Sequence, residues 1–236
     1  PAERRHDGGL RMLLDGTREL ARDHVLVRLL FINALSFGLL MAYLSAAPFV
    51  LRNVLGMGTV AYTAVFGLCG ATVTVTIAVA ASLVRRFSQA RQVRVGLIAG
   101  LVVDTVFAAV CLMWLREPVT GPERMPLLVA VVALFLAHVA CLGLSMGNAP
   151  ALALDRTGRW AGTGSALLGF LQFVVGGLVS PLVGLTGEAS GVAFGVVVVA
   201  VGVIANILAV FGLRERGEKQ RLAAHEAERR QRRLGQ

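Results

Sequence analysis

Charged residues in this chain come in short bursts between long apolar runs. Residues 29–51 and 53–84 carry no charge, 95–115 carries only Asp104, 125–154 carries none, and 160–213 carries only Glu188. About 20 apolar residues make a helix long enough to cross the hydrocarbon of a bilayer. At that length the pattern predicts six spans, at 29–50, 59–84, 95–115, 126–149, 161–186 and 191–213. The last run is too long for one helix, and Thr186-Gly187-Glu188-Ala189-Ser190-Gly191 supplies a charged turn that divides it. The connections are short, so consecutive helices are expected to be antiparallel neighbours. The predicted fold class is all-α, a polytopic membrane protein with six transmembrane helices. Before the first span, Leu10, Leu13, Leu14, Thr17, Leu20 and Ala21 recur at helical spacing. Residues 1–28 are therefore read as a cytoplasmic amphipathic segment or, equally, a partly ordered linker. Residues 214–236 read as a basic cytoplasmic tail.

Composition agrees with a bilayer. Hydrophobic residues make up 56% and charged residues 16%, against about 25% charged in soluble domains. A net charge of +9 would point to nucleic acid in a soluble protein. Its distribution says otherwise. Of the 23 Lys and Arg, only Arg52, Arg116 and Arg124 lie in one set of loops; the rest lie in residues 1–28, 85–94, 155–160 and the tail. Basic loops stay in the cytoplasm, so both termini are expected there, the lipid bilayer is the expected partner, and no nucleic-acid partner is expected. Cys69, Cys111 and Cys141 fall in three different spans, with no metal-ligand spacing and no disulfide framework. The chain opens on Pro1 and a charged stretch with no signal-peptide pattern. It is read as part of a longer protein.

Polar residues inside spans carry the candidate chemistry. Asp104 lies near the centre of the third span, where an acid costs at least about 2.5–3.5 kcal/mol on insertion scales. It must be neutral, paired or hydrated, and reads either as a proton site or as an acid tying two helices together. His138, midway along the fourth span, has Leu142 and Ser145 on its face at i+4 and i+7. It reads either as a proton relay or cavity residue, or as an interhelical hydrogen bond. Asn33, Gln172 and Asn206 pose the same choice, with helix packing the commoner use of a buried amide. Gly162, Gly169 and Gly176 recur every seven residues, and Gly67 and Gly70 line the second span beside Thr63 and Thr74. Both sets predict helices that approach a partner closely.

Four segments resemble one family. Ala42-Tyr43-Leu44-Ser45-Ala46-Ala47-Pro48-Phe49-Val50-Leu51 resembles a signature in the seventh helix of drug exporters. Ala161-Gly162-Thr163-Gly164-Ser165-Ala166-Leu167-Leu168-Gly169-Phe170-Leu171-Gln172-Phe173 resembles their eleventh helix. Gly147-Asn148-Ala149-Pro150-Ala151-Leu152-Ala153-Leu154 is similar to the end of the tenth, and Ser82-Leu83-Val84-Arg85-Arg86-Phe87 to the basic loop after the eighth. The family is the Bcr/CflA-type drug:proton antiporters of the major facilitator superfamily. The resemblance spans roughly residues 20–213 and maps onto helices seven to twelve of a twelve-helix fold. It implies two six-helix halves rocking about a central cavity, with the N-terminal half as the missing partner. The first and fourth spans would line the cavity with Asn33, Phe37, Tyr43, His138, Leu142 and Ser145. The second and fifth would meet the other half through Gly67, Gly70, Gly162, Gly169 and Gly176. Asp104 would lie on an outer support helix, which weakens its reading as a coupling acid. The family's coupling acids and its glycine- and proline-rich antiporter motif belong to the other half, and the 85–91 loop keeps only Arg85-Arg86 of the superfamily's loop pattern.

The function implied is not enzymatic. It is export of an amphipathic or aromatic drug-like small molecule, driven by protons without any bound cofactor or metal. An intramembrane serine protease needs Gly-x-Ser-Gly, and Gly162-Thr163-Gly164-Ser165-Ala166 lacks the trailing glycine. An ATP-driven permease would need a P-loop on a partner, since this chain has none. A half-size or degenerate transporter, inactive alone or acting as an oligomer or permease subunit, is the alternative.

Overall fold

A computed structural model describes residues 10–185, 187 and 190–211. The basic tail at 214–236, residues 1–9 and Thr186, Glu188 and Ala189 of the charged turn lie outside the described residues. Among the described residues, six helices are long and apolar enough to cross a membrane. After a short α1 (Leu10–Ala21) come α2 (His24–Pro48), α3 (Thr59–Leu83), α4 (Gln89–Trp114), α5 (Arg124–Leu154), α6 (Ala161–Leu182) and α7 (Val192–Phe211). Among the described residues there is no strand. In lipid every backbone polar group must be satisfied within the segment, and the helix does this alone.

Helix ends follow local chemistry. Asp23 caps α2, its Oδ1 accepting from the amides of Val25 (3.0 Å) and Leu26 (3.1 Å), so the helix starts five residues before the apolar run. Ser88 caps α4 through the Arg91 amide at 3.3 Å. Pro48 brings no N–H, and beyond it the chain widens into a π-helical extension, Phe49–Val54. The extension ends at Gly56, whose φ of +60° turns the chain. Arg124, at the start of α5, reaches back to this end. Its Nε donates to the Leu55 carbonyl at 2.7 Å and its Nη2 to the Gly56 carbonyl at 2.5 Å, satisfying oxygens that the ended helix leaves open.

Packing centres on α2 and α5. The main contacts run between α2 and α6, α4 and α5, α3 and α5, and α2 and α5. The α7 helix lies on α4, where a side chain at Gly195 would stand 2.8 Å from the Ala108 backbone. Phe107, Phe135 and Phe194, all fully buried, cluster at 4.7–5.6 Å, with Phe107 edge to face against the other two and Phe135 tilted against Phe194. The loops alternate between two ends. At one end Arg156, after α5, donates to Asp23 at 2.6 and 2.8 Å, and Arg159 to Glu19 at 2.6 Å. These contacts fasten α1 against Trp160 and the start of α6. At the other end the Val119 amide donates to the Val54 carbonyl, and the Gly191 amide to the Leu115 carbonyl, both at 2.8 Å. Successive spans therefore run antiparallel.

Candidate functional site

Two features stand out within the six-helix unit. The first is a polar seam between α4 and α5. Gln92, Gly96, Gly100 and Asp104 recur every four residues on α4 and share one face. Asn148, Ser145, Cys141 and His138 answer them in reverse order on α5. Asn148 Nδ2 donates to Gln92 Oε1 at 3.3 Å at one end. At the other, His138 Nδ1 lies 2.5 Å from Asp104 Oδ1, both side chains 1% exposed. Between them α4 approaches α5 so closely that a Cβ at Gly96 would meet the Cys141 carbonyl, Leu144 Cβ and Ser145 Oγ at 2.9 Å each. From Gln92 to Asp104 the seam rises twelve steps along α4, about 18 Å of helix.

His138 sits near the middle of the 31-residue α5, so the pair lies deep in the bilayer. A cavity of about 10 Å³ adjoins it, lined in part by Asp104, His138, Ser145, Gly96 and Gly202. That volume matches a single water. His138 Nε2 and Ser145 Oγ are buried without a hydrogen-bond partner among the described residues. Asn206 of α7 closes the far side of α4 by donating to the carbonyls of Leu97 and Gly202, each at 2.9 Å.

The second feature is an apolar groove of about 220 Å³ between α2 and α3, lined by Leu40, Tyr43, Leu44, Phe66, Cys69, Gly70 and Val73. Tyr43 and Phe66 stack with centroids 6.0 Å apart and ring planes 15° apart. Apolar walls with one or two polar groups suit an amphipathic ligand.

Of the residues expected to line a cavity, Phe37 is half-buried, in edge-on contact with Phe173 at 5.5 Å. Tyr43 is buried but borders the groove. His138, Leu142 and Ser145 are buried on the face of α5 turned toward α4, and Asn33 is buried on α2 with neither amide atom partnered. Asp104 and His138, assigned separate roles on separate helices in the sequence reading, form one pair. The glycines divide as well. Among the described residues, Gly67, Gly70, Gly162 and Gly169 have no neighbour within 4 Å of where a Cβ would stand, whereas Gly176 packs on Phe37 and Met41 of α2. Sequence reasoning missed Gln92, Gly96, Gly100 and Phe66. The four-residue period through Gln92, Gly96, Gly100 and Asp104 was the available signal.

Known proteins add one comparison. The chain is 28% identical over 187 residues to an uncharacterized MFS-type transporter, YdgK, of Bacillus subtilis (strain 168). The match covers 78% of this chain and spans 41% of the relative's length. No family model matches, and no solved structure matches. The six helices support a multi-pass membrane protein, and the similarity is to an MFS-type transporter.

Proposed function

We propose that the chain is the C-terminal six-helix half of a proton-coupled multidrug exporter of the Bcr/CflA type. It moves amphipathic and aromatic compounds out of the cell by alternating access, with both termini in the cytoplasm of the inner membrane. The observation that carries the reading is the aromatic groove between α2 and α3, bordered by Gly70 with open space beside it. Open glycines on α3 and α6 suit close approach by another set of helices. A chain spanning 41% of its relative's length leaves room for such a set, so the occupant of these faces is the N-terminal half.

The test uses the native gene product reconstituted in liposomes, with ethidium as an aromatic cationic probe. Counterflow, the exchange of labelled for unlabelled ethidium without any pH gradient, should be present. Phe66→Ala should raise the half-saturating concentration several-fold by removing a stacking surface worth about 0.5–1.5 kcal/mol. Absence of counterflow for ethidium and for other amphipathic aromatic cations would refute the exporter reading.

A further inference from the structure

The α4–α5 seam has a feature that the groove does not need: it joins a buried acid–base pair to one end of the bundle. At that end a surface pocket of about 280 Å³ is lined by Leu83, Phe87, Arg91, Gln92, Val95 and Leu144. Gln92 borders this pocket and bonds Asn148. Ser145 lies one turn further along α5, with its hydroxyl unpartnered beside the cavity that reaches His138 and Asp104. Polar groups therefore mark the whole way from the Arg91 end to the pair, and none of them is used by the apolar groove.

We propose that Asp104 and His138 form a proton-binding site, loaded from the Arg91 end through the Gln92–Asn148–Ser145 seam. This rests on the transporter reading for its purpose, though not for its existence. The charge balance is simple. With carboxylate and neutral imidazole the pair carries one negative charge. Uptake of one proton at His138 Nε2, with Nδ1–H kept on Asp104, makes the pair neutral overall. A lone negative charge in hydrocarbon is costly, so the closed packing favours the loaded pair. Release of the proton favours hydration of the carboxylate, and therefore separation of α4 from α5 at Gly96 and Gly100. Proton release is in this way linked to helix movement.

The surroundings leave few competing groups. Tyr43 faces His138 from α2, at 6.5 Å between ring centroids, with Cys69 of α3 across the groove. Cys141 lines the cavity from α5, and α7 presents Phe194 and Gly202. Among the described residues, Asp104 and His138 are the only Asp, Glu, His, Lys or Arg side chains lining the cavity.

The experiment is infrared difference spectroscopy of the native-length protein in liposomes, stepped between acidic and alkaline buffer. Wild type should show an imidazole signal that titrates together with a change at a carboxyl group. The component of both that belongs to the pair should be lost in Asp104→Asn and in His138→Gln, leaving the signals of His6, His24 and His225, while Ser145→Val should slow the response to a pH jump. If Asp104→Asn fails to fold, His138→Gln and the isotope-edited histidine signal of wild type decide alone. A wild-type spectrum in which no His138 band titrates would overturn the proposal. A pH jump response unchanged in Ser145→Val would overturn the route. Transport separates this from the exporter reading. A one-unit gradient can drive about a tenfold accumulation per coupled proton. Asp104→Asn should lose that accumulation of ethidium yet retain counterflow. Retained gradient-driven accumulation would overturn the role of the pair in coupling, whereas loss of wild-type counterflow would strike the exporter reading alone.

Discussion

Gly169 and Gly176 lie seven residues apart on α6, and the structure predicts opposite consequences for changing them. A Cβ at Gly176 would stand 2.8 Å from Met41 Cγ and 3.1 Å from Phe37 Cδ1 and Cε1. Met41 can bend aside, since thioether side chains adapt. Phe37 has less freedom, because its ring is met edge-on by Phe173 of the same α6. To admit a methyl group, α6 must back away from α2 along an extensive helix contact. Overpacking of this kind costs about 1–3 kcal/mol, and leucine costs more than alanine. Nothing lies within 4 Å of a Cβ at Gly169. There alanine costs the six-helix unit nothing and gains up to about 1 kcal/mol of helix propensity. Thermal unfolding of the native-length protein in detergent, followed by tryptophan fluorescence, should show Gly176→Leu clearly destabilised and Gly169→Leu close to wild type. Ethidium counterflow should nevertheless fall in Gly169→Leu, because the larger side chain obstructs the helices of the other half. An unfolding temperature unchanged by Gly176→Leu would refute the packing argument. Full transport by Gly169→Leu would show that no helix rests on that face.

Two further outcomes follow from the loops. Burial raises the pKa of Asp23, but the Arg156 guanidinium and the Leu26 and Val25 amides outweigh it and hold the carboxyl below its ordinary value of 3.8. A depressed folded-state pKa contributes stability that is present above about pH 3.8 and lost as pH falls through the folded value. Asp23→Asn keeps the cap and should flatten the acid limb of a stability-against-pH curve, while Asp23→Ala should cost about 1–2 kcal/mol at neutral pH; an unchanged acid limb in Asp23→Asn would show that the pair contributes nothing. The arginine distribution predicts that an impermeant thiol reagent applied to intact cells labels Thr120→Cys and spares Arg86→Cys, and the reverse pattern would invert the proposed orientation.

The bundle was legible from hydropathy because a bilayer imposes its own ruler: a span needs about 20 apolar residues whatever its neighbours. The facing of each helix was not. In water an apolar stripe marks the buried side, but in lipid the outside is as apolar as the inside, so α3 and α6 carry no stripe that distinguishes their two sides. The seven-residue glycine period on α6 illustrates the difficulty. Seven residues fall short of two full turns, so successive glycines drift by about 20°. Gly176 consequently reaches α2, while Gly162 and Gly169 have open space beside them.

Polar residues are therefore the best orienting marks a span offers, and here they point inward. Gln92, Asp104, His138, Ser145 and Asn148 draw α4 and α5 together and leave the α2–α3 groove apolar. An amphipathic ligand and a proton would consequently bind on different sides of the unit. The two sides meet at one side chain. The Tyr43 ring stacks on Phe66 at 6.0 Å in the groove and stands 5.3 Å from Phe135 and 6.5 Å from His138 on the other side. Tyr43 is buried, and close-packed interiors transmit displacements rather than absorb them. A ligand that shifts the Phe66–Tyr43 stack must also displace the neighbours of His138, so the shortest physical link between the groove and the proton site runs through Tyr43.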